Sequence, residues 1–199
     1  MAQEQTEVLL EVTRALEELH IPHFICGSLA SSAYGFYRAT ADADLVADVQ
    51  PHHAAPLAAM LQPAFYADEQ MIRQAAQTKG AFNLIHNESL LKVDVFTFQP
   101  TRFQQSQMSR RRLSGFDPAS GLKAYLASPE DTVLAKLDWY RQGGCVSDRQ
   151  WSDVVGVLKV QGESLDRAYL QQWAAELGLT DLLERALEQA GLSAASGSS

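Results

Sequence analysis

Residues 26–49 read CGSLASSAYGFYRATADADLVADV, and this stretch decides how the chain is read. A short apolar run, His23 to Cys26, leads into Gly27-Ser28. A plausible helix follows through Tyr34, then an Arg-Ala-Thr turn, then two aspartates at alternate positions, Asp42 and Asp44. A period of two places both side chains on one face of an extended strand. Adjacent carboxylates repel each other, and a cation between them relieves that cost. Gly27 permits close backbone approach, and Ser28 opens a helix whose free N–H groups suit an anion. The spacing points to a divalent-cation site beside a small-residue turn that can approach a phosphate.

Outward from this stretch, apolar residues recur at helical spacing over 4–19 (Val8, Leu9, Val12, Leu16, Leu19), and Pro22 closes that helix. Ala43 to Val49 reads as a strand, and Pro51 opens a helix to about Leu61. A further helix is expected over 68–79, with Gly80 at its end. The segment FNLIHNESLLKVDVFTF predicts a hairpin, with strands Phe82–His86 and Leu90–Phe98 about an Asn87-Glu88-Ser89 turn. Lys92, Asp94, Phe96 and Phe98 share one face of its second strand. Arg110–Phe116 and Leu122–Leu126 read as two short strands around Asp117-Pro118. From Ser128 the pattern turns helical: SPED is a helix start, and helices are expected to about Gln142, then over 147–160, 166–177 and 180–190.

The expected fold class is α+β: a small mixed sheet flanked by helices, with a C-terminal helical part. The expected division is a core over 1–127, a helical part over 128–192 packed on it, and a disordered tail over 193–199.

Composition narrows the function. Of 199 residues, 46% are hydrophobic, enough for a packed core. The formal net charge of −8 argues against a broad nucleic-acid binder, which usually carries a basic surface. Cys26 and Cys145 are too few for a disulfide framework and suit a reducing cytoplasm. No apolar run reaches the ~20 residues of a membrane span, and the N-terminal residues lack a secretory signal pattern. A cytoplasmic protein is expected.

The order Gly27-Ser28, helix, Asp42-x-Asp44, then a later strand acid, Asp94, resembles the nucleotidyltransferase superfamily of DNA polymerase β-like fold. Tyr34, Gly35, Arg38, Thr40, Asp42 and Asp44 follow the pattern of its AbiEii-like branch. Lys136, Leu137 and Arg141 match a later helical motif whose closing aspartate is either Asp148 or Asp153. The resemblance covers residues 20–160 and implies a transferase that moves a nucleoside monophosphate from a nucleoside triphosphate to a hydroxyl acceptor. It implies Mg²⁺ (or Mn²⁺) held by Asp42, Asp44 and Asp94, because the ion neutralises phosphate charge and aligns in-line attack. Asp94 is a metal ligand or the base for the attacking hydroxyl. Gly27 and Ser28 are expected at the phosphates, with Arg38, Lys136 and Arg141 as neutralising cations and Lys136 near the chemistry. The acceptor is an RNA, a protein or a small molecule, and a protein antitoxin is a possible partner of a toxin-like enzyme.

Each reading has a plainer counterpart. Asp42 and Asp44 could be solvated strand acids, and Gly27-Ser28 an ordinary turn. Asp94 could pair with Lys92 on its own face. Arg38 could be a solvated turn residue, and Lys136 a helix-surface lysine. Arg110, Arg111 and Arg112, the basic cluster, usually signify a solvated face, with an RNA backbone as the functional alternative. His52, His53 and His86 lack metal-ligand spacing. Two rival functions stand beside the transferase: a degenerate module that binds nucleotide or partner without turnover, and a metal-dependent glycosyltransferase, whose doubly wound βα pattern is missing here.

Overall fold

The structure is a computed structural model and describes residues 2–36, 40, 42–117 and 122–192. Arg38, Pro118 and the 193–199 tail lie outside the described residues. The chain divides into two compact units, one of Met1–Leu29 with Ala39–Ala127 and one of Ala30–Arg38 with Ser128–Ser199.

The first unit begins with α1 (Ala2–Glu18). Its stripe of Val8, Leu9, Val12 and Leu16 is almost wholly buried. Strand β1 (His23–Cys26) follows and runs straight into α2 (Gly27–Tyr34). Strand β2 (Asp42–Ala47) returns antiparallel to β1. A 3₁₀ turn over Pro51–His53 leads to α3 (Ala54–Leu61), a two-residue strand β3 (Phe65–Tyr66) and α4 (Glu69–Thr78). Asp68 caps α4 by accepting from the Met71 N–H at 2.8 Å, and Lys79 closes it in the left-handed conformation.

The expected hairpin is β4 (Ala81–His86) and β5 (Lys92–Thr97). Between them, Leu90 takes a positive φ of 57°. Helix α5 (Arg102–Arg110), capped by Thr101, precedes the antiparallel pair β6 (Arg112–Asp117) and β7 (Leu122–Leu126). Sequence reading had no element over 99–109. RFQQSQMSR offers no apolar period, and of its residues Gln107 is the buried one. Strand β3 is too short to show alternation.

Among the described residues these strands form one mixed sheet of order β3-β4-β5-β2-β1-β7-β6. Strand β2 is central and parallel to β5, and β1 is parallel to β7. One face of β5 buries Val93, Val95 and Thr97, while Lys92, Asp94 and Phe96 on the other stay half-buried.

The second unit is helical: α6 (Pro129–Gln142), α7 (Asp148–Gln161), α8 (Arg167–Leu177) and α9 (Thr180–Gln189), with the end of α2. Ser128 caps α6 as SPED predicted, accepting from the Asp131 N–H at 3.1 Å. Asp131 is fully buried and takes hydrogen bonds from Ser128 Oγ (2.7 Å) and the Tyr169 hydroxyl (2.6 Å). Gly35 packs where any Cβ would meet the Val157 backbone nitrogen at 2.9 Å. Among the described residues no helix is long and apolar enough to cross a membrane.

Candidate active site

Two adjacent parallel strands carry the site. In the β2–β5 register, Asp42 lies opposite Lys92 and Asp44 lies opposite Asp94. All four side chains fall on the same sheet face, since residues two apart share a face and parallel partners do too. The three acids therefore lie on one face of the sheet. The fourth corner of the rectangle is a lysine, and carboxylates outnumber it three to one.

Asp94 is held from two sides. Its Oδ2 accepts from Lys92 Nζ at 2.8 Å, and its Oδ1 accepts from Asn83 Nδ2, on the neighbouring strand β4, at 2.9 Å. The plainer reading of Asp94, a pair with Lys92, thus describes its contacts here. The Lys92 side chain is 42% exposed and that of Asp94 20%. The pKa of Lys92 is raised, first by its hydrogen bond to Asp94, then by the charges of Asp94, Asp42 and Asp44 together.

Gly27 explains the position of Asp44. Cys26 is the register partner of Asp44 on β1, so the next residue, Gly27, turns into α2 beside that carboxylate. Gly27 has φ +62°, and a Cβ there would collide with Asp44, lying 2.8 Å from its carboxylate carbon. Only glycine serves both needs. The Asp44 carboxylate therefore sits at the first turn of α2, where free N–H groups favour negative charge. Ser28, half-buried, stands in that same turn.

The donor set suits a hard divalent cation: three carboxylates, all oxygen, on one partly open face. Among the described residues no group of three or more acid, histidine or cysteine side chains is arranged to hold a metal ion. Asp94 is turned toward Lys92 and Asn83 instead.

The helical cations are placed otherwise. Lys136 is buried on α6, with Nζ 2.8 Å from Asp153 Oδ2 and 3.3 Å from Gln150 Oε1, both on α7. Of the two aspartates, Asp153 meets Lys136, and Asp148 is the exposed first residue of α7. Arg141 donates Nη1 to the Leu177 carbonyl at 2.8 Å and Nη2 to Asp138 at 2.6 Å. It closes the C-terminal end of α8, where a cation is favourable. Arg110, Arg111 and Arg112 belong to different elements. Arg110 ends α5, Arg111 donates to the Met108 carbonyl and stacks 4.8 Å over the Tyr125 ring, and Arg112 opens β6. His53 Nδ1 accepts from the Gln50 N–H and His86 Nδ1 meets Ser89, so both serve local turns.

Asn83 escaped sequence reading. Its signal was available, because hairpin alternation puts it on the Asp94 face, but the register that sets it opposite Asp94 depends on the turn.

No model of a known protein family matches the chain, and no curated protein sequence matches it. Solved structures do. The solution structure of the antibiotic-resistance factor ANT(2'')-Ia superposes with a TM-score of 0.57 at 11% identity, covering 93% of this chain and 99% of that one. A crystal structure of ANT(2'')-Ia with adenylyl-2''-tobramycin gives 0.54 at 12% identity, covering 87% of this chain and 97% of that one. An antigenic nucleotidyltransferase-like protein from Paracoccidioides brasiliensis gives 0.51 at 22% identity, covering 93% and 92%. With a mixed seven-stranded sheet flanked by helices, and these likenesses over nearly its whole length, the chain has the nucleotidyltransferase-type α+β fold.

Proposed function

We propose that the chain is a metal-dependent nucleotidyltransferase that moves a nucleoside monophosphate from a nucleoside triphosphate to a hydroxyl acceptor. The supporting observation is the β2–β5 face: Asp42, Asp44 and Asp94 on adjacent parallel strands, with Asp44 fitted against the glycine that opens α2. Asp42, Asp44 and Asp94 would hold Mg²⁺ (or Mn²⁺), which supplies charge neutralisation and in-line alignment at the phosphates. Gly27 and Ser28 present backbone N–H groups to the triphosphate, since no side chain intervenes at Gly27. Asp94 accepts the proton of the attacking hydroxyl, and Asn83 keeps its carboxylate in place for that. Arg38, Lys136 and Arg141 are the candidate phosphate-side cations. Lys136 and Arg141 are already engaged within the helical unit, so that role requires them to change partners.

The acidic balance leans the choice of acceptor away from bulk RNA. A chain of net charge −8 does not gather a polyanion by long-range attraction. ANT(2'')-Ia was solved with an adenylylated small molecule, tobramycin. We extend that chemistry here as a small hydroxyl-bearing acceptor and ATP as the first triphosphate to try. The AbiEii-like resemblance keeps protein and RNA acceptors, and a toxin-like role with a partner antitoxin, as the other arms of the same assay. A cytoplasmic setting supplies the triphosphate.

The test is transfer of label from an α-labelled triphosphate with Mg²⁺. Replacing Asp42 and Asp44 together by alanine should lower transfer by about 100-fold or more. Equal activity in the two proteins removes the proposal. One observation favours a second reading, a module that binds nucleotide without turnover: Asp94 is already satisfied by Lys92 and Asn83. Calorimetry separates the two, because that module binds ATP with Mg²⁺ and releases no pyrophosphate.

A further inference from the structure

We propose that Lys92 is a built-in counter-cation that holds the acid face together before a divalent ion arrives and competes with that ion for Asp94. The inference rests on the ion-binding reading of this face and adds a residue that the reading does not use.

Asp44 and Asp94 are direct register partners on adjacent strands. Strands lie about 4.8 Å apart, and like charges directly opposite destabilise a sheet. Lys92 occupies the fourth corner, opposite Asp42 and two residues before Asp94. Its ammonium is 2.8 Å from Asp94 Oδ2, the oxygen that Asn83 leaves open. A metal ion taking Asp94 Oδ2 in the position that the ammonium holds would have to displace Lys92, and this is the competition proposed.

Three features make the lysine exchangeable rather than structural. Its side chain is 42% exposed, so the ammonium can withdraw into water without opening the core. Its four-carbon stem is flexible, and an exposed ion pair is weak, about 0–1 kcal/mol. Asn83 holds the other oxygen of Asp94, so the carboxylate keeps its place when the lysine leaves.

The experiment measures Mn²⁺ binding to the full chain, by electron paramagnetic resonance and calorimetry without nucleotide, and thermal stability in EDTA. The proteins are wild type, Lys92→Met and Lys92→Arg. Lys92→Met should bind Mn²⁺ roughly 3- to 10-fold more tightly than wild type. In EDTA it should melt at a lower temperature than wild type, with the deficit closing as Mn²⁺ is added. Lys92→Arg, which keeps the charge, should not gain affinity. Mn²⁺ binding that is equal or weaker in Lys92→Met overturns this proposal and leaves the ion-binding reading standing. Absence of Mn²⁺ binding in wild type and Lys92→Met alike overturns both. A gain in Lys92→Arg as large as in Lys92→Met also overturns it, because charge would then not be the cause.

Discussion

On the β2–β5 face, one of three neighbouring carboxylates pairs with a half-exposed lysine, whereas between α6 and α7 a single lysine and a single aspartate meet with side chains only 6% and 9% exposed. Both regions contain a Lys–Asp contact of 2.8 Å. Their surroundings differ. In the helical unit, Lys136 and Asp153 balance one another, and Gln150 takes a further donor. On the acid face the charges do not balance and water has access. A contact distance alone therefore says little about role. The ratio of charges and their exposure say more: a balanced, dry pair holds structure, and an unbalanced, wet cluster has room for another cation.

The largest effect should come from breaking the balanced pair. Asp153→Ala leaves a buried ammonium without its carboxylate and should cost about 3–5 kcal/mol in urea unfolding. The double replacement Lys136→Met with Asp153→Leu should recover most of that loss, because an apolar pair of similar volume has no charge to desolvate. Lys92→Met in the same assay should stay within about 1 kcal/mol of wild type. If it costs as much as Asp153→Ala, the contrast between the two regions is broken.

Gly27→Ala sharpens the same contrast from the acid side. The new methyl group meets Asp44, and the backbone must hold φ +62° with a side chain present. A stability loss of about 1–3 kcal/mol is expected, together with loss of transfer. Adding Asp44→Ala should remove the collision and leave only the backbone cost. An unchanged Gly27→Ala protein would mean that the carboxylate is not held against the turn.

His23 gives the smallest effect and a third environment, a buried ionisable group that is neither paired nor open. It is 2% exposed on β1, and its Nδ1–H donates to the Ile21 carbonyl at 3.0 Å. Burial lowers its pKa below 6.5, opposed in part by that hydrogen bond. The unfolded chain therefore binds a proton at a pH where the folded chain does not. Stability is complete above about pH 6.5 and falls as the pH drops below it. The urea midpoint should decline from pH 7 to pH 5, and His23→Gln should flatten that decline. An equal slope in both proteins would assign the acid sensitivity to other groups.

Much of this was legible in the residues because it depends on local rules. The alternation of Asp42 and Asp44, the strand-to-helix turn at Gly27, the Ser128 cap and the 82–98 hairpin each follow from neighbours within a few positions. Helix α5 was not legible, because RFQQSQMSR carries no apolar period. The arginine run at 110–112 read as one patch, yet its members stand at a helix end, a cap and a strand start. Asp148 and Asp153 were equivalent candidates in sequence, and only packing of α7 on α6 brought Asp153 to Lys136.

By itself, then, the amino-acid order determined the α+β class and the common parity of Asp42 with Asp44 and of Lys92 with Asp94, since side-chain direction in a strand repeats every two residues. Only the tertiary structure decided that β2 lies beside β5, in the one register that sets Asp44 across from Asp94 and puts Lys92 across from Asp42. The physical reason is that strand pairing is a long-range choice: shifting it by one residue would turn every one of these side chains to the other face.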